Sequence, residues 1–330
     1  MGDKLVNWGM IGTGDVTEKK SGPAFNKVEG SRLVAVANRT PSKAEDYAMR
    51  FGIPRWHRDP MDVIRDPEVD AVYVATPPGS HLDYAMESIR SGKPVYIEKP
   101  MARTYAECRT INEEAGKAGV PVFVAYYRRS LDYFLKVKEL VESGVLGKIL
   151  QIDMEQRFPA REEDLLREQP PWRIIPGISG GGYFHDMGCH ALDMVFYLFG
   201  NPLIILGKAT NRGGLYDADD TVSAILTLPE GVQLTGSWSF VVPPWQQADR
   251  IHVSGEKGKL SFSVFSFEPI TLELPGGTES SNTRQPEHIQ MPLIRAVVGE
   301  LLGKDKSPST GDTAAVTSLV MDRICGGISG

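Results

Sequence analysis

Val95-Tyr96-Ile97-Glu98-Lys99-Pro100 is an apolar run that stops on a carboxylate, an amine and a proline ring. A strand ending this way delivers Glu98 and Lys99 to the edge of a sheet, where ligands of open α/β folds bind. Taken alone, a charged strand end is an ordinary solvated feature. The sequence on either side decides whether Lys99 is a surface charge or a group placed for chemistry.

Upstream, strands and helices alternate. Residues 5–11 read as a buried strand closed by the tight turn Gly12-Thr13-Gly14, with a helix expected from Val16 to Lys27. A glycine turn between strand and helix lets the backbone approach a pyrophosphate at a positive helix N-terminus. Gly12, Thr13, Gly14, Asp15 and Val16 are therefore the expected phosphate cradle. Thr17 stands where a third glycine or alanine is usual, which should loosen the helix against its strand. A second strand, 33–37, ends in Asn38-Arg39-Thr40, where dinucleotide folds place a carboxylate for the adenosine ribose. An aspartate would repel a 2′-phosphate and Asn-Arg-Thr accepts one, so NADP is favoured over NAD. Stacking of Arg39 on adenine would suit either.

The third strand, 71–75, ends at Thr76-Pro77-Pro78, and Ser80 is expected to cap a helix carrying Leu82, Ala85, Met86 and Ile89. His81, opening that helix, reads as a capping or surface residue or as one near the substrate mouth. The strand at 95–97, a helix at 105–118 and a strand at 122–125 follow. Such alternation with short connections is the pattern of a doubly wound parallel sheet, a Rossmann-type domain expected over residues 1–125.

Residues 126–330 change character. After Tyr127-Arg128-Arg129 and a helix near 131–143, strands are expected at 149–157, 203–210, 222–228, 232–241, 251–254, 260–264 and 270–274. Val232, Leu234, Trp238 and Phe240 alternate with Gln233, Thr235, Ser237 and Ser239, giving one apolar and one uncharged polar face. The expectation is an α/β domain with a large, mostly antiparallel open sheet. Its neutral face suits pairing with another subunit. Residues 292–323 read as two helices broken around Ser307-Pro308-Ser309 and free to pack back on the first domain.

Within this half, Gly180-Gly181-Gly182 runs through His185-Asp186 to Cys189-His190 and an apolar-faced helix. If the helix has begun by Asp186, that carboxylate and His190 share a face, with Cβ atoms about 5–6 Å apart. A carboxylate beside an imidazole raises its basicity and orients its ring for proton transfer. An aspartate cap beside a core-packed histidine fits equally well. His185, Asp186, Cys189 and His190 are all metal-ligand types, but they spread over different helix faces without paired spacing, so no metal is expected.

A chain of 330 residues is long for one core, and two domains are the natural organisation. The net charge of −6 and pI near 5.6 offer nucleic acid no basic field. The longest apolar run, 194–199, is far too short for a bilayer, and the start has no secretory apolar region. Three scattered cysteines, Cys108, Cys189 and Cys325, point to free thiols and a cytoplasmic location.

Together these pieces resemble the glucose–fructose oxidoreductase, inositol dehydrogenase and MocA (Gfo/Idh/MocA) family over essentially the whole chain. The resemblance rests on the Gly12-Thr13-Gly14 turn, Ala75-Thr76-Pro77-Pro78 followed by His81, Glu98-Lys99-Pro100, Tyr127-Arg128-Arg129, and the glycine run into Asp186 and His190. It implies a nicotinamide cofactor and oxidation or reduction at a carbinol carbon of a sugar, cyclitol or related polyol. It also implies a homodimer or homotetramer built through the second sheet. Lys99 corresponds to the family's catalytic lysine, with Asp186 and His190 as the acid and imidazole facing it. Thr76, Pro77, Pro78, His81, Glu98 and Lys99 join the cofactor set, with Glu98 near the nicotinamide ribose and the Lys99–Pro100 bond often cis. Tyr127, Arg128, Trp172 and Arg173 are expected on the substrate; an arginine packed on Trp172 in a loop is the plainer reading of the last pair. The residues alone leave open which of Lys99 and His190 carries the proton. Two other readings stay in view: a related bidomain reductase of a dihydrodiol- or imine-like substrate, and a nicotinamide-binding sensor without turnover.

Overall fold

The computed structural model describes residues 4–166 and 168–326, which form two compact units. The first takes the chain as far as Leu131 and then residues 286–315; the second takes 132–285 and the chain from Val316.

In the first unit six strands form one parallel sheet: β1 (Val6–Ile11), β2 (Ser31–Ala37), β3 (Arg55–His57), β4 (Ala71–Val74), β5 (Val95–Ile97) and β6 (Val122–Val124). Their order is β3-β2-β1-β4-β5-β6. Strands of such a sheet are covered on both faces, which is why β1, β2, β4, β5 and β6 read as apolar runs rather than alternations. Trp8, Phe25, Tyr73 and Tyr96 form an aromatic cluster at its centre, with ring centroids 5.0–6.5 Å apart. Each such ring, fully buried, contributes about 1.5–3 kcal/mol. The order reverses between β1 and β4, and ligands of open sheets bind beyond the strand ends at that point. Residues 12–16, 75–78 and 98–100 follow the carboxyl ends of β1, β4 and β5 there.

Several local expectations need correction. The helix expected over 16–27 is two, Asp15–Lys19 and Gly22–Lys27, because Pro23 has no N–H to continue the first. A side chain at Gly22 would also strike the Tyr47 hydroxyl and the Thr17 carbonyl. Thr17 does not loosen the contact: it is fully buried and its hydroxyl donates to the Gly14 carbonyl at 2.7 Å. Ser80 occupies the N-cap position of His81–Arg90 without capping it; its hydroxyl donates to Thr76 Oγ1 at 2.8 Å. The edge strand β3 was not anticipated.

The return segment closes the other edge of the sheet. Thr310 bridges Phe123 of β6 antiparallel, and Ser309 Oγ donates to the Val124 carbonyl at 2.7 Å. An open strand edge is a template for unwanted pairing, and this one is covered.

The second unit is built on an eight-stranded sheet: β7 (Ile149–Arg157), β8 (Ile204–Thr210), β9 (Thr221–Thr227), β10 (Gln233–Ser239), β11 (Ala248–Gly255), β12 (Lys259–Phe262), β13 (Ile270–Leu274) and β14 (Gly277–Ser281). The order is β14-β13-β12-β11-β7-β10-β9-β8, antiparallel except for the β7–β10 pair. Leu234 and Trp238 of β10 are buried while Gln233 and Thr235 are exposed, as the alternation requires. The outer face is not neutral as a whole. Register places Asp153, Glu155 and Arg157 of β7 beside Thr235, Ser237 and Ser239, and Arg250 and His252 of β11 beyond them.

Candidate active site

Gly12 has φ +102°, in the left-handed region, and a Cβ there would lie 2.6 Å from the Ala75 carbonyl oxygen. Only glycine lets the end of β1 run this close to the end of β4. A Cβ on Gly14, by contrast, would meet nothing within 4 Å. The turn therefore leaves open space above exposed backbone, which is the fit a pyrophosphate needs. Thr13 Oγ1 accepts from Asn38 Nδ2 at 2.8 Å, and Asn38 Oδ1 accepts from the Thr40 N–H at 2.9 Å. One amide thus braces the phosphate turn against the loop after β2. Asp15, Arg39 and Thr40 are exposed beside it, and Val16 is half-buried.

The next two strand ends are tied together by His81. Far from lying at a surface or a mouth, this ring is fully buried. Its Nε2 lies 2.7 Å from the Thr76 carbonyl, and Nδ1 lies 3.1 and 3.3 Å from the Pro100 and Met101 carbonyls. Burial pushes its pKa down against the pull of the Thr76 carbonyl, Glu98 and the Pro100 and Met101 carbonyls. Thr76 and Pro77 are half-buried and Pro78 is buried.

Glu98 ends β5 with its side chain inward. Its Oε1 accepts from the Tyr73 hydroxyl at 2.6 Å and from Gln290 Nε2 at 2.7 Å, and its Oε2 accepts from the Lys99 N–H at 3.3 Å. Lys99 follows, half-buried, and the Lys99–Pro100 bond is cis. Beyond β6, Tyr127 and Arg128 lie in the short turn Tyr127–Ser130, both buried, with the guanidinium 4.9 Å from the tyrosine ring centre.

In the second unit a π-turn, Phe184–Gly188, leads into the helix Cys189–Phe199. Asp186 and His190 are therefore not joined by the regular α-helical turn expected. Both are buried. Asp186 Oδ2 accepts from Arg173 Nε at 2.8 Å, and the same guanidinium lies 4.6 Å from the Trp172 ring. Burial opposes the arginine's charge, but Asp186 outweighs it and raises the pKa. Arg173 is thus both packed on Trp172 and paired with the carboxylate. Burial holds neighbouring His185 neutral, with its pKa pushed down to about 4.

Sequence reasoning missed what shapes the wall behind His190. The Phe265 ring meets the His190 imidazole edge-on at 5.7 Å. Its turn is held by Asp249, whose Oδ2 accepts from the N–H groups of Val264, Phe265 and Ser266 at 2.6–3.0 Å. Gln156 donates to the other oxygen of Asp249 and accepts from Trp238 Nε1. A carboxylate taking three backbone donors fixes that turn firmly.

Residues 6–126 match the family model described as oxidoreductase family, NAD-binding Rossmann fold, and residues 134–261 match that of the GFO/IDH/MocA C-terminal domain. The chain belongs to the Gfo/Idh/MocA oxidoreductase family. Oxidoreductase P35 of Formosa agariphila is 38% identical over 324 residues, covering 98% of this chain and 99% of that one. The scyllo-inositol 2-dehydrogenase (NAD(+)) of Bacillus subtilis is 29% identical over 273 residues, 81% of this chain and 76% of its own. Among solved structures, the aldose-aldose oxidoreductase of Caulobacter crescentus complexed with glycerol superposes with a TM-score of 0.86 at 26% identity, covering 97% and 96%. As a Gfo/Idh/MocA protein, the chain carries an NAD-binding Rossmann fold over the residues that include the Gly12–Gly14 turn. No helix among the described residues is long and apolar enough to cross a membrane.

Proposed function

We propose that this protein transfers hydride between a nicotinamide cofactor and a carbinol or carbonyl carbon of a sugar, cyclitol or related polyol. The observation that carries the reading is a lysine directly after a buried carboxylate at the end of β5, in the same sheet as the phosphate turn. Family membership and the polyol-acting relatives support the substrate class.

When bound, the nicotinamide supplies the hydride acceptor or donor. The chain's own residues handle the oxygen. His190, in the second unit, is the candidate base for the hydroxyl proton, and Lys99, in the first, is the candidate hydrogen-bond donor to developing oxygen charge. In reduction both roles reverse. Asp186 holds Arg173, whose remaining N–H groups beside Trp172 suit substrate hydroxyls or a carboxylate, and Tyr127 and Arg128 are the first unit's candidate substrate contacts. His81 acts through the backbone it clamps. The experiment is a screen of polyols, aldoses and ketones for a change in reduced-nicotinamide absorbance; no response with any of them would refute the reading.

For the cofactor we favour NADP over NAD, held by Arg39 and Thr40 beside Asn38. Asn38→Asp keeps the acceptor to Thr40, loses the donor to Thr13, and sets a negative charge where a 2′-phosphate would lie. The ratio of NADP to NAD affinity should fall about tenfold or more, read by fluorescence titration. An unaltered ratio would remove Asn38-Arg39-Thr40 from cofactor discrimination.

We also propose that the outer face of the second sheet pairs with another copy in a cytoplasmic homodimer or homotetramer. At its β8–β9 edge Leu203, Ile204, Leu206 and Ile225 are exposed together, and such a patch is costly when left in water. Ile225→Arg should shift the species seen by analytical ultracentrifugation towards monomer. An unchanged distribution would argue against this face.

A further inference from the structure

We propose that Tyr73 and Gln290 are positioning residues for the reaction: together they fix the Glu98 carboxylate, and through it the edge of β5 that presents Lys99. The inference rests on the assignment of Glu98 and Lys99 above.

Glu98 is almost fully buried, and a buried carboxylate without donors is strongly disfavoured. Its Oε1 has two, Tyr73 Oη at 2.6 Å and Gln290 Nε2 at 2.7 Å, while Oε2 turns back to the Lys99 N–H. These three contacts fix the plane of the carboxylate. The phenol donates its one proton to Glu98, and Ser21 Oγ lies 3.0 Å from the same phenol oxygen. The orientation of Gln290 is equally determined. Its Oε1 accepts from the Tyr96 hydroxyl at 3.2 Å, which turns its NH₂ group towards Glu98. Burial first, then the negative charge of Glu98, raises the pKa of both phenols, so both keep the proton they donate.

Gln290 also reaches the phosphate turn's helix. It is fully buried, and its backbone N–H donates to the Lys20 carbonyl at 3.1 Å. Two residues earlier, His288 Nδ1 donates to the Lys19 carbonyl at 2.7 Å. Lys19 ends the helix that begins beside Gly14. The return segment therefore ties the helix after the cofactor turn, through the Gln290 backbone, and the Glu98–Lys99 edge, through its side chain, to one residue 192 positions from Glu98 in sequence. Tyr73 supports the same oxygen from β4, its ring stacked on Tyr96 at 5.1 Å.

The test is a pair of double-mutant cycles on the full chain, using Tyr73→Phe, Gln290→Met and Glu98→Gln. The readouts are reduced-cofactor affinity by fluorescence titration, kcat and KM separately, and melting temperature. Tyr73→Phe and Gln290→Met should each weaken cofactor binding about tenfold and lower kcat, as expected when a charge-assisted hydrogen bond is removed. In the Glu98→Gln background the same changes should have less than about a twofold effect, because they act through that carboxylate. Equal losses in both backgrounds, or singles indistinguishable from wild type, would overturn the proposal. If Gln290→Met does not fold, the Tyr73→Phe cycle, a one-oxygen deletion, decides alone. Glu98→Gln with unaltered affinity and turnover would overturn the assignment of Glu98 itself, and the proposal with it.

Discussion

Lys99→Met is expected to lower turnover by about 10³-fold while leaving the fold and cofactor affinity near wild type. Methionine keeps most of the apolar stem that packs along a half-buried lysine and removes only the charged donor. The surrounding edge is held by contacts the substitution does not touch. Glu98 keeps Tyr73 and Gln290, and His81 keeps the Thr76 and Pro100 carbonyls. What disappears is the group meant to meet the substrate oxygen as charge develops on it. The loss should therefore appear in kcat, with cofactor titration and circular dichroism as controls. Turnover within a few-fold of wild type would make Lys99 a solvated strand-end charge.

Asp186→Asn should be the next largest. It replaces a carboxylate whose partner, Arg173, is half-buried beside the Trp172 ring, and removes that guanidinium's hydrogen-bonded counter-charge. Breaking a partly buried, hydrogen-bonded pair from one side costs about 2 kcal/mol in stability. It also withdraws the negative charge from the π-turn that leads into His190, where a carboxylate supports a general base. A fall in kcat of about 10²-fold is expected, together with a lower melting temperature. Arg173→Met should instead act mainly on KM, because its remaining N–H groups are assigned to substrate. A split in the opposite sense, with Arg173→Met affecting kcat and Asp186→Asn affecting only KM, would reverse those roles.

What could be read from the sequence follows from how each feature is encoded. The first sheet was legible because parallel strands buried on both faces leave apolar runs, and because Gly12 sits where only glycine fits. The strands β3 and β14 were not legible. Arg55-Trp56-His57 is a three-residue edge strand, half-buried throughout, and Gly277–Ser281 pairs only with β13 among the described strands. Neither carries an apolar period. The break at Gly22-Pro23 had a local signal, a proline, which helical spacing on either side obscured.

In the site, motif residues stood out because their neighbours in sequence are unusual. Their supports did not, because support is a matter of tertiary distance. Nothing around Gln290 or Phe265 suggests that one reaches Glu98 and the other faces His190. His81 shows the same limit from the other side: the motif located it, but only burial shows that its role is to clamp two backbone loops.

The central claim is hydride transfer between nicotinamide and a polyol carbon, and isotope transfer tests it most directly. The wild-type chain is mixed with oxidised cofactor and cyclitols or aldoses deuterated at single carbinol carbons, and the reduced cofactor is examined by mass spectrometry. The account predicts deuterium in the reduced nicotinamide from one labelled carbon of an accepted substrate, and none from Lys99→Met on the same timescale. Tight cofactor binding with no label transferred from any polyol, and no reduction of the corresponding ketones, would contradict it and leave a nicotinamide-binding sensor in its place.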